Sequence, residues 1–243
     1  MILDLNTLDF RRALASVIPH VHSDPATGLE VVHFTVTGEH VYVQATNTAS
    51  AAMAIVSVWE HEGLTGDPAE DHFDLDPSTV KELLAVFKAG KNQPEDEIGD
   101  ALRITISDGE ITFIDISGLF PGKAYSIPNG ATTDVFPNLA RVFWGAIAAD
   151  RQVPSRIVTN GKLLQLFAHA AASYKKPLSI EPTETNKRML ISCGDSFLGL
   201  LMPIRAEDGD ELDHDLQEWR DGWANRLPPL QYALEDGRKE AAA

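Results

Sequence analysis

Cysteine is nearly absent from this sequence, as are long apolar runs, and each absence excludes a class of protein. The only cysteine among 243 residues is Cys193, so an internal disulfide framework is excluded and a reducing, cytoplasmic setting is expected. No apolar run approaches the roughly 20 residues that span a bilayer. No basic segment precedes an apolar stretch near the N-terminus, so no secretory signal is expected. With 44% hydrophobic residues, the chain has the composition of a globular protein with a real core.

The sequence also lacks the common signatures of nucleotide-binding, hydrolytic and metal sites. It contains no Gly-x-Gly-x-x-Gly, no Gly-x4-Gly-Lys-Ser/Thr, no Gly-x-Ser-x-Gly and no His-Glu-x-x-His. His20 and His22 have no nearby cysteine or third histidine to complete a zinc set. We therefore expect no cofactor and no metal.

One enzymatic alternative stays open. Residues 194–197 read Gly-Asp-Ser-Phe and resemble the Gly-Asp-Ser-Leu hydrolases, which would require His214 as base and Glu211 or Asp213 as its orienting carboxylate. The motif comes late in the chain, at a predicted hairpin turn instead of a strand-to-helix turn, and its base lies in an acidic tail. These features disfavour catalysis, and we expect a protein that is not an enzyme.

Three segments repeat one pattern, a short apolar strand followed by a capped amphipathic helix. They cover residues 3–17, 73–87 and 156–170. The predicted helix caps are Asn6, Asp76, and either Thr159 or Asn160, whose side-chain oxygens can accept hydrogen bonds from a first helical turn. Pro77 stands where a missing N–H does no harm. The pattern therefore predicts three helices, each introduced by a strand.

Further strands are predicted after each helix, with turns at Thr37-Gly38, Asp108-Gly109 and Gly194-Asp195. The predicted strands cover residues 30–36, 40–46, 51–59, 102–107, 110–116, 123–128, 177–182, 188–193 and 196–204. The unit is thus β-α-β-β-β, written three times. Residues 129–155 are predicted to be a linker that can contain a short helix packing Val142, Phe143 and Ile147. In the tail, Pro228-Pro229 is predicted to break the structure.

Three segments, taken in their order along the chain, carry a resemblance to a known family. They read VYVQATNTASAAMAI (41–55), FPNLARVF (136–143) and LLMPIR (200–205). The sequence resembles the DNA sliding clamps, most closely the bacterial DNA polymerase III β clamp and more distantly the eukaryotic proliferating cell nuclear antigen. The first segment is similar to the family's strand, Ala-Thr-Asp turn and strand, with Asn47 where Asp is usual. The other two resemble the inter-domain linker and the Val-Met-Pro-Met-Arg that ends bacterial chains.

The resemblance implies an α+β DNA-clamp fold of repeated β-α-β-β-β units, with antiparallel sheets outside and helices inside. The domain boundaries that follow are residues 1–128 for a clamp domain of two units, 129–155 for the linker, 156–205 for a second, shortened clamp domain, and 206–243 for an acidic tail. The implied function is that of a polymerase processivity factor, a homo-oligomer that encircles duplex DNA, docks the polymerase and clamp loader, and has no membrane role.

The number of units leaves ring closure open. A closed ring of the family has twelve units, so three per chain would need four chains, or a degenerate fourth unit would make a trimer. A clamp-fold regulator that closes no ring and binds a replication protein, as a phage-encoded protein can, is the alternative.

The resemblance also suggests where DNA would bind. The net charge is −16, which argues against simple electrostatic binding of DNA. A clamp therefore requires its basic residues to be concentrated on the helices that face the DNA. The candidate DNA-binding residues are Arg11, Arg12, Lys81, Lys88, Lys91, Lys162, His169, Lys175 and Lys176. Lys81 and Lys88 are seven residues apart and share a helix face, but a solvated helix face would have the same pattern.

The resemblance finally implies a pocket for partner peptides. In bacterial clamps the residues matching Met202, Pro203, Ile204 and Arg205 line a hydrophobic pocket in which peptides of polymerases and loaders dock. Methionine suits such a pocket because its flexible side chain adapts to several ligands. A last strand that simply fills the core would explain the same residues.

Overall fold

The computed structural model describes residues 1–88, 100–130, 136–151, 156–183, 188–204 and 211–240, and side chains as far as residue 228. Two of the candidate site residues, Lys91 and Arg205, lie outside the described residues. The chain divides into two compact units, Met1–Pro203 and Ile204–Ala243. The domain boundaries at residues 128, 155 and 205 stay predictions.

The described part of the first unit contains eleven strands and five helices. The strands are β1 (Ile2–Asn6), β2 (Val32–Val36), β3 (His40–Thr46), β4 (Ser50–Glu62), β5 (His72–Leu75), β6 (Ala101–Ile106), β7 (Glu110–Asp115), β8 (Ala124–Pro128), β9 (Ser179–Pro182), β10 (Met189–Ser192) and β11 (Phe197–Leu201). The helices are α1 (Thr7–Val17), α2 (Pro77–Val86), α3 (Leu139–Ile147), α4 (Gly161–Leu166) and α5 (Ala168–Tyr174). Short 3₁₀ turns occupy Ile18–His20 and Pro25–Thr27.

The first two repeats form as predicted, and their helix caps show why. The Asn6 side chain accepts a hydrogen bond from the Asp9 N–H at 3.0 Å. Asp76 accepts from the Ser78 N–H at 2.9 Å and the Thr79 N–H at 3.1 Å. Burial opposes ionisation of Asp76, but hydrogen bonds from Ser78 and Thr79 outweigh it and lower the pKa of this carboxyl to about 2. Each capped turn fixes the point where the chain turns from strand to helix.

Removing the Asp76 cap is expected to destabilise the protein. Asp76→Ala leaves two N–H groups of the first α2 turn without their acceptor, and loss of an N-cap costs about 1 kcal/mol of unfolding free energy. Urea unfolding followed by circular dichroism measures the change. Asp76→Asn keeps an accepting oxygen and serves as the matched control, so equal destabilisation by both variants would contradict the capping role.

The third repeat departs from the prediction at its start. Residues 156–160 form no strand, and the β-branched side chains of Ile157 and Val158 do not suffice without a neighbouring strand to pair with. Of the two candidate caps, Asn160 accepts from the Lys162 N–H at 2.9 Å. The helix is also interrupted at Phe167, which separates α4 from α5. Strands β9, β10 and β11 follow as predicted.

All sheet pairings are antiparallel, and the order along the main path is β5-β2-β3-β4-β1-β6-β7-β8. The long strand β4 pairs with two different strands, one after the other, along the same edge. Its residues Ser50–Ala54 pair with β11, which continues to β10 and β9, whereas Val58 to Glu62 pair with β1. The third repeat therefore extends the sheet begun by the first.

The two faces of the sheet are covered by different helices. Alternate strand residues such as Leu5, Phe34 and Val43 pack with the buried residues of α1, α2 and α5 in one core. A second, smaller cluster on the opposite face contains Met53 of β4 and Phe143 of α3. The predicted short helix is therefore present, with Phe143 buried and Val142 half-buried. The predicted packing of Ile147 was wrong: Ile147 is exposed, and Ala146 is buried in the cluster instead.

The second unit contains one long helix, α6 (Glu211–Glu240). The predicted break at Pro228-Pro229 was wrong, because α6 continues through both prolines. Good helix formers such as leucine, glutamate, glutamine and arginine flank the pair on both sides and favour one continuous helix. No described helix is long and apolar enough to cross a membrane.

Candidate nucleic-acid interface

Helices α1, α2 and α5 lie side by side over the same face of the sheet, with α1 in contact with both of the others. Exposed candidate residues lie on α2, α4 and α5 or just beyond their ends: Lys81, Lys88, Lys162, His169, Lys175 and Lys176. Among the described residues, no carboxylate forms an ion pair with Lys81, Lys88, Lys162 or Lys175. The helix layer thus carries several ammonium groups in an acidic protein.

The two arginines of α1 are engaged within the protein. The Arg11 guanidinium donates to the Leu84 carbonyl at 2.5 Å and to the Phe87 carbonyl, which closes the C-terminal end of α2. Burial lowers the pKa of Arg11. Arg12 is half-buried and pairs with Asp9 one turn earlier, at 3.2 Å. These contacts give both arginines a structural role that spacing alone does not reveal.

Two acidic side chains near this helix layer, those of Glu82 and Asp195, also contact other residues of the protein. The Tyr125 hydroxyl of β8 donates a hydrogen bond to Glu82 of α2, and this bond raises the pKa of Tyr125. Lys176 lies 3.8 Å from Asp195, at the β10–β11 turn. The lysines with the fewest internal contacts are therefore the strongest candidates for phosphate contacts.

The three segments that carry the family resemblance lie on or beside the same part of the sheet. Asn47, which stands where Asp is usual, holds the β3–β4 turn: its side chain accepts from the Ser50 N–H at 2.7 Å. The Met202 N–H donates to the Ala49 carbonyl at 2.9 Å, so the chain leaving β11 runs beside this turn. Phe136 begins the segment that leads into α3.

The candidate partner pocket is only partly described. Leu200 and Leu201 of β11 are buried, which agrees with the alternative that this last strand simply fills the core. Met202 and Ile204, by contrast, expose 39% and 46% of their surfaces, and Pro203 is half-buried. Ile204 already belongs to the second unit. Of the two described pocket candidates that belong to the first unit, Met202 and Pro203, Met202 has the more exposed apolar side chain for a peptide to contact.

A cavity of about 600 Å³ opens on the sheet face opposite α1, and the sequence patterns indicate it only weakly. Its lining residues are His33, Thr35, Thr37, Tyr42, Gln44, Met53, Pro68, Ala69, His72, Phe136, Pro137, Asn138, Leu139 and Ala140. The sequence pattern that indicates the cavity is the alternation in β2: His33 and Thr35 flank the buried Phe34, so their side chains must point to the other face of the sheet.

Polar groups in and beside this cavity form a connected network. Gln44 donates to the Thr35 hydroxyl at 3.0 Å, and that hydroxyl lies 3.3 Å from His33 Nε2. His33 Nδ1 lies 2.7 Å from Asp74 Oδ1, and the His33 ring stacks on Phe136 with centroids 4.4 Å apart. The network holds the segment at Phe136 against β2.

The hydrolase alternative gains no support from geometry. Ser196 lies at the β10–β11 turn, as predicted, and its hydroxyl donates to Asp195 at 2.9 Å. This hydrogen bond lowers the pKa of the Asp195 carboxyl. A serine whose hydroxyl is bound to an exposed carboxylate in a hairpin turn is not set up as a nucleophile. Within the described ranges, no group of three or more acidic, histidine or cysteine residues could hold a metal ion.

The comparisons with known proteins give matches among solved structures alone. No protein-family model and no curated sequence matches the chain. Among solved structures, it is similar to the DNA polymerase III beta subunit of Thermotoga maritima, with 12% identity and a TM-score of 0.55 over 86% of this chain and 66% of that one. It is also similar to the Bacillus subtilis polymerase sliding clamp, with 11% identity and a TM-score of 0.56 over 85% and 65% of the two chains.

A third similar structure is the sliding clamp of Bartonella birtlesii bound to griselimycin, with 14% identity and a TM-score of 0.54, covering 84% of this chain and 66% of that one. The chain thus spans about two thirds of the length of these clamps. At such identities the likeness concerns the fold. The antiparallel sheet with α1, α2 and α5 on one face, the repeated unit and these neighbours lead to one conclusion: this chain has the DNA sliding-clamp fold.

Proposed function

We propose that this protein is a DNA sliding clamp, a processivity factor that encircles or contacts duplex DNA without sequence specificity and docks replication proteins. The observation that carries the proposal is the helix layer of the clamp fold, where Lys81, Lys88, Lys162 and Lys175 are exposed and pair with none of the described carboxylates. In a clamp this layer would face the DNA, so positive charge there supports the proposal even though the protein as a whole carries a net charge of −16.

Such a layer suits movement along DNA. Lysine contacts with phosphates are independent of sequence and are readily exchanged, so they position a protein on the duplex without reading bases. Acidic groups elsewhere repel DNA from other surfaces and keep the protein soluble. Retention then comes from topology, because a closed ring leaves a duplex only at its ends, and a tethered polymerase stays at high effective concentration.

This role needs no catalytic group, which agrees with a clamp fold and with the bound hydroxyl of Ser196. A closed ring of twelve units would require a homo-oligomer of this three-unit chain. The same unit count, which does not match that of the known rings, favours the second candidate, a clamp-fold regulator that closes no ring and binds a replication protein. The two candidates differ in native mass, since a regulator can act as a single 26.5 kDa chain.

Retention on closed circular DNA tests the proposal directly. The protein is incubated with nicked circular plasmid, with and without a clamp loader, and separated from free protein by gel filtration in moderate salt. A processivity clamp should remain with the circle and dissociate when a restriction enzyme linearises the plasmid. Equal dissociation from circular and linear DNA, together with a monomeric native mass, would favour the regulator instead.

Met202 is the proposed contact for partner peptides in the first unit. Met202→Glu places a charge on an exposed apolar site, so we expect at least about a tenfold loss of affinity for a synthetic peptide carrying the clamp-docking segment of a bacterial DNA polymerase. Fluorescence anisotropy of the labelled peptide measures it. The control is Ile180→Glu on β9, where the side chain is similarly exposed, at 44%; a similar loss there would argue against a pocket at Met202.

A further inference from the structure

Two histidines from different repeats lie side by side in the cavity on the sheet face opposite α1. His33 is on β2 and His72 is on β5, and both line the cavity. The two strands pair in antiparallel register, with His33 opposite Asp74 and Thr35 opposite His72. His33 and His72 are therefore diagonal neighbours on one face of the sheet, close enough for long side chains to meet.

The separation of the two imidazole rings suits a shared metal ion. The centroids of the His33 and His72 rings lie 5.6 Å apart, and the ring planes are inclined by 35°. A tetrahedral zinc ion binds an imidazole nitrogen at about 2.0–2.1 Å, which places the centroids of two such rings about 5 Å apart. A small rotation of either side chain closes the difference.

A carboxylate orients His33 for this role. His33 Nδ1 lies 2.7 Å from Asp74 Oδ1. A carboxylate only accepts hydrogen bonds, so Nδ1 carries the ring proton and the lone pair is on Nε2. Histidines that bind metals commonly donate their other ring N–H to a carboxylate in this way. Phe136 stacks on the same ring, with centroids 4.4 Å apart, and fixes its orientation.

The existing contacts of these two rings leave room for a metal ion. His33 Nε2 lies 3.3 Å from the Thr35 hydroxyl, which accepts a shorter hydrogen bond of 3.0 Å from Gln44. The His72 ring forms no hydrogen bond with the described residues and contacts the His33 ring. A metal ion therefore replaces one long hydrogen bond and gains a ligand from each ring.

The cavity supplies the remaining coordination positions. Among the described residues, no set of three or more histidine, cysteine or acidic side chains could hold a metal, so the protein provides two ligands. A tetrahedral zinc ion has four positions, and a site with open positions binds water or an exogenous ligand. The cavity encloses about 600 Å³, which is ample space for such molecules.

Zinc fits both the type of ligand and the charge of the protein. Imidazole nitrogens bind zinc well, whereas Mg²⁺ and Ca²⁺ take oxygen ligands. A protein with a net charge of −16 also attracts cations from solution.

We propose that His33 and His72 bind a zinc ion in this cavity, with water or an exogenous ligand in its open positions. The ion joins β2 of the first repeat to β5, the strand that begins the second repeat, and so stabilises the pairing at this end of the main strand path. This zinc site does not depend on the proposed function.

Isothermal titration calorimetry of the untagged full chain with zinc chloride tests the site, after treatment with EDTA and removal of the chelator. The unmodified protein should bind one zinc ion per chain at this pair. Loss of a ligand should weaken binding at least as much as loss of an outer partner does, which is about tenfold or more. His72→Gln is the decisive variant, because its ring holds no hydrogen bond among the described residues. His33→Gln should show the same loss.

His61→Gln is the matched control, because His61 is exposed on β4 and does not line the cavity. It should bind zinc as the unmodified protein does. Thermal unfolding gives a second readout: zinc should raise the midpoint of the unmodified protein and of His61→Gln, since an ion that binds only the folded chain stabilises it. The midpoint of His72→Gln should match the unmodified protein without zinc and change little when zinc is added.

Three results would overturn the zinc site: no saturable binding by the unmodified chain, undiminished binding by His72→Gln, or an equal loss in His61→Gln, which would indicate adventitious binding by surface histidines. Retention on circular DNA is measured without added zinc. Failure of the zinc site and failure of the proposed function are therefore distinguishable.

Discussion

Replacing Lys81, Lys88, Lys162 and Lys175 by glutamine is expected to abolish most DNA binding by this protein. These four lysines are exposed, and none of them pairs with a carboxylate among the described residues, so we propose them as the phosphate contacts. Each lysine–phosphate interaction that is removed should reduce the slope of log affinity against log salt by about 0.9. The four together would remove a slope of about 3 to 4, which at moderate salt corresponds to a decrease in affinity on the order of a hundred- to a thousandfold.

Fluorescence anisotropy with a short linear duplex measures this effect without any contribution from ring topology. Arg141→Gln is the matched control for a single substitution such as Lys81→Gln, because Arg141 is exposed on α3, which covers the opposite face of the sheet. Its affinity and salt slope should equal those of the unmodified protein. If Arg141→Gln weakens binding as much as Lys81→Gln does, DNA does not bind preferentially at the helix layer, and the proposal that these helices face the DNA is wrong.

The sequence predicted the local elements of this fold well, because their signals are local. Asn6 and Asp76 were recognised as caps from residue type and position, and both accept the expected backbone hydrogen bonds. The alternation in β6 and β7 correctly indicated one buried and one more exposed face. Such features depend on neighbouring residues, and tertiary packing reinforces them in this protein.

Predictions failed where distant residues decide the structure. Residues 156–160 have the side chains of a strand but no strand beside them, and no spacing rule states which strands will be neighbours. The same limit applies to the sheet: pairing of β11 with β4 joins residues from the third repeat and the first, as in Phe197 with Ala54. Pairings of that kind follow from the packing of whole repeats, and a single sequence shows them only indirectly.

The candidate site also contains features that neighbouring residues determine, which the sequence predicted, and features that distant residues determine, which it did not. The exposure of Lys81 and Lys162 agrees with their positions on the polar faces of helices, which the sequence predicted. Arg11 has the same pattern, but its guanidinium reaches across to the carbonyls of Leu84 and Phe87. The cavity beside His33 was missed because its walls come from β2, β3, β4, the segment before β5 and the start of α3.

Acidification is expected to destabilise the protein through one buried histidine, His20. The ring is fully buried, with Nδ1 3.0 Å from the Ser50 hydroxyl and its centroid 4.6 Å from that of Phe167. Nε2 has no hydrogen-bond partner among the described residues. Burial, with a smaller contribution from His169, lowers the pKa of His20 to about 3. The folded protein therefore holds this imidazole neutral.

The sign of the effect follows from the direction of that pKa shift. An unfolded chain protonates His20 near the ordinary pKa of about 6.5, so between pH 6.5 and pH 3 the unfolded state binds the extra proton. Stability is complete above pH 6.5 and declines as the pH falls towards 3. The expected decrease between pH 7 and pH 4.5 is about 3 kcal/mol, a large fraction of the roughly 5–15 kcal/mol typical of a folded domain.

Urea unfolding at a series of pH values, followed by circular dichroism, measures this decrease. His20→Asn keeps a polar group for Ser50 and removes the titration, so the variant should be less stable at pH 7 but lose little more stability on acidification to pH 4.5. His61→Asn, at an exposed position on β4, should keep the full pH dependence. Carboxyls with lowered pKa values, such as Asp76, titrate mainly below this range. Equal slopes for the unmodified protein and His20→Asn would show that His20 is not the group responsible.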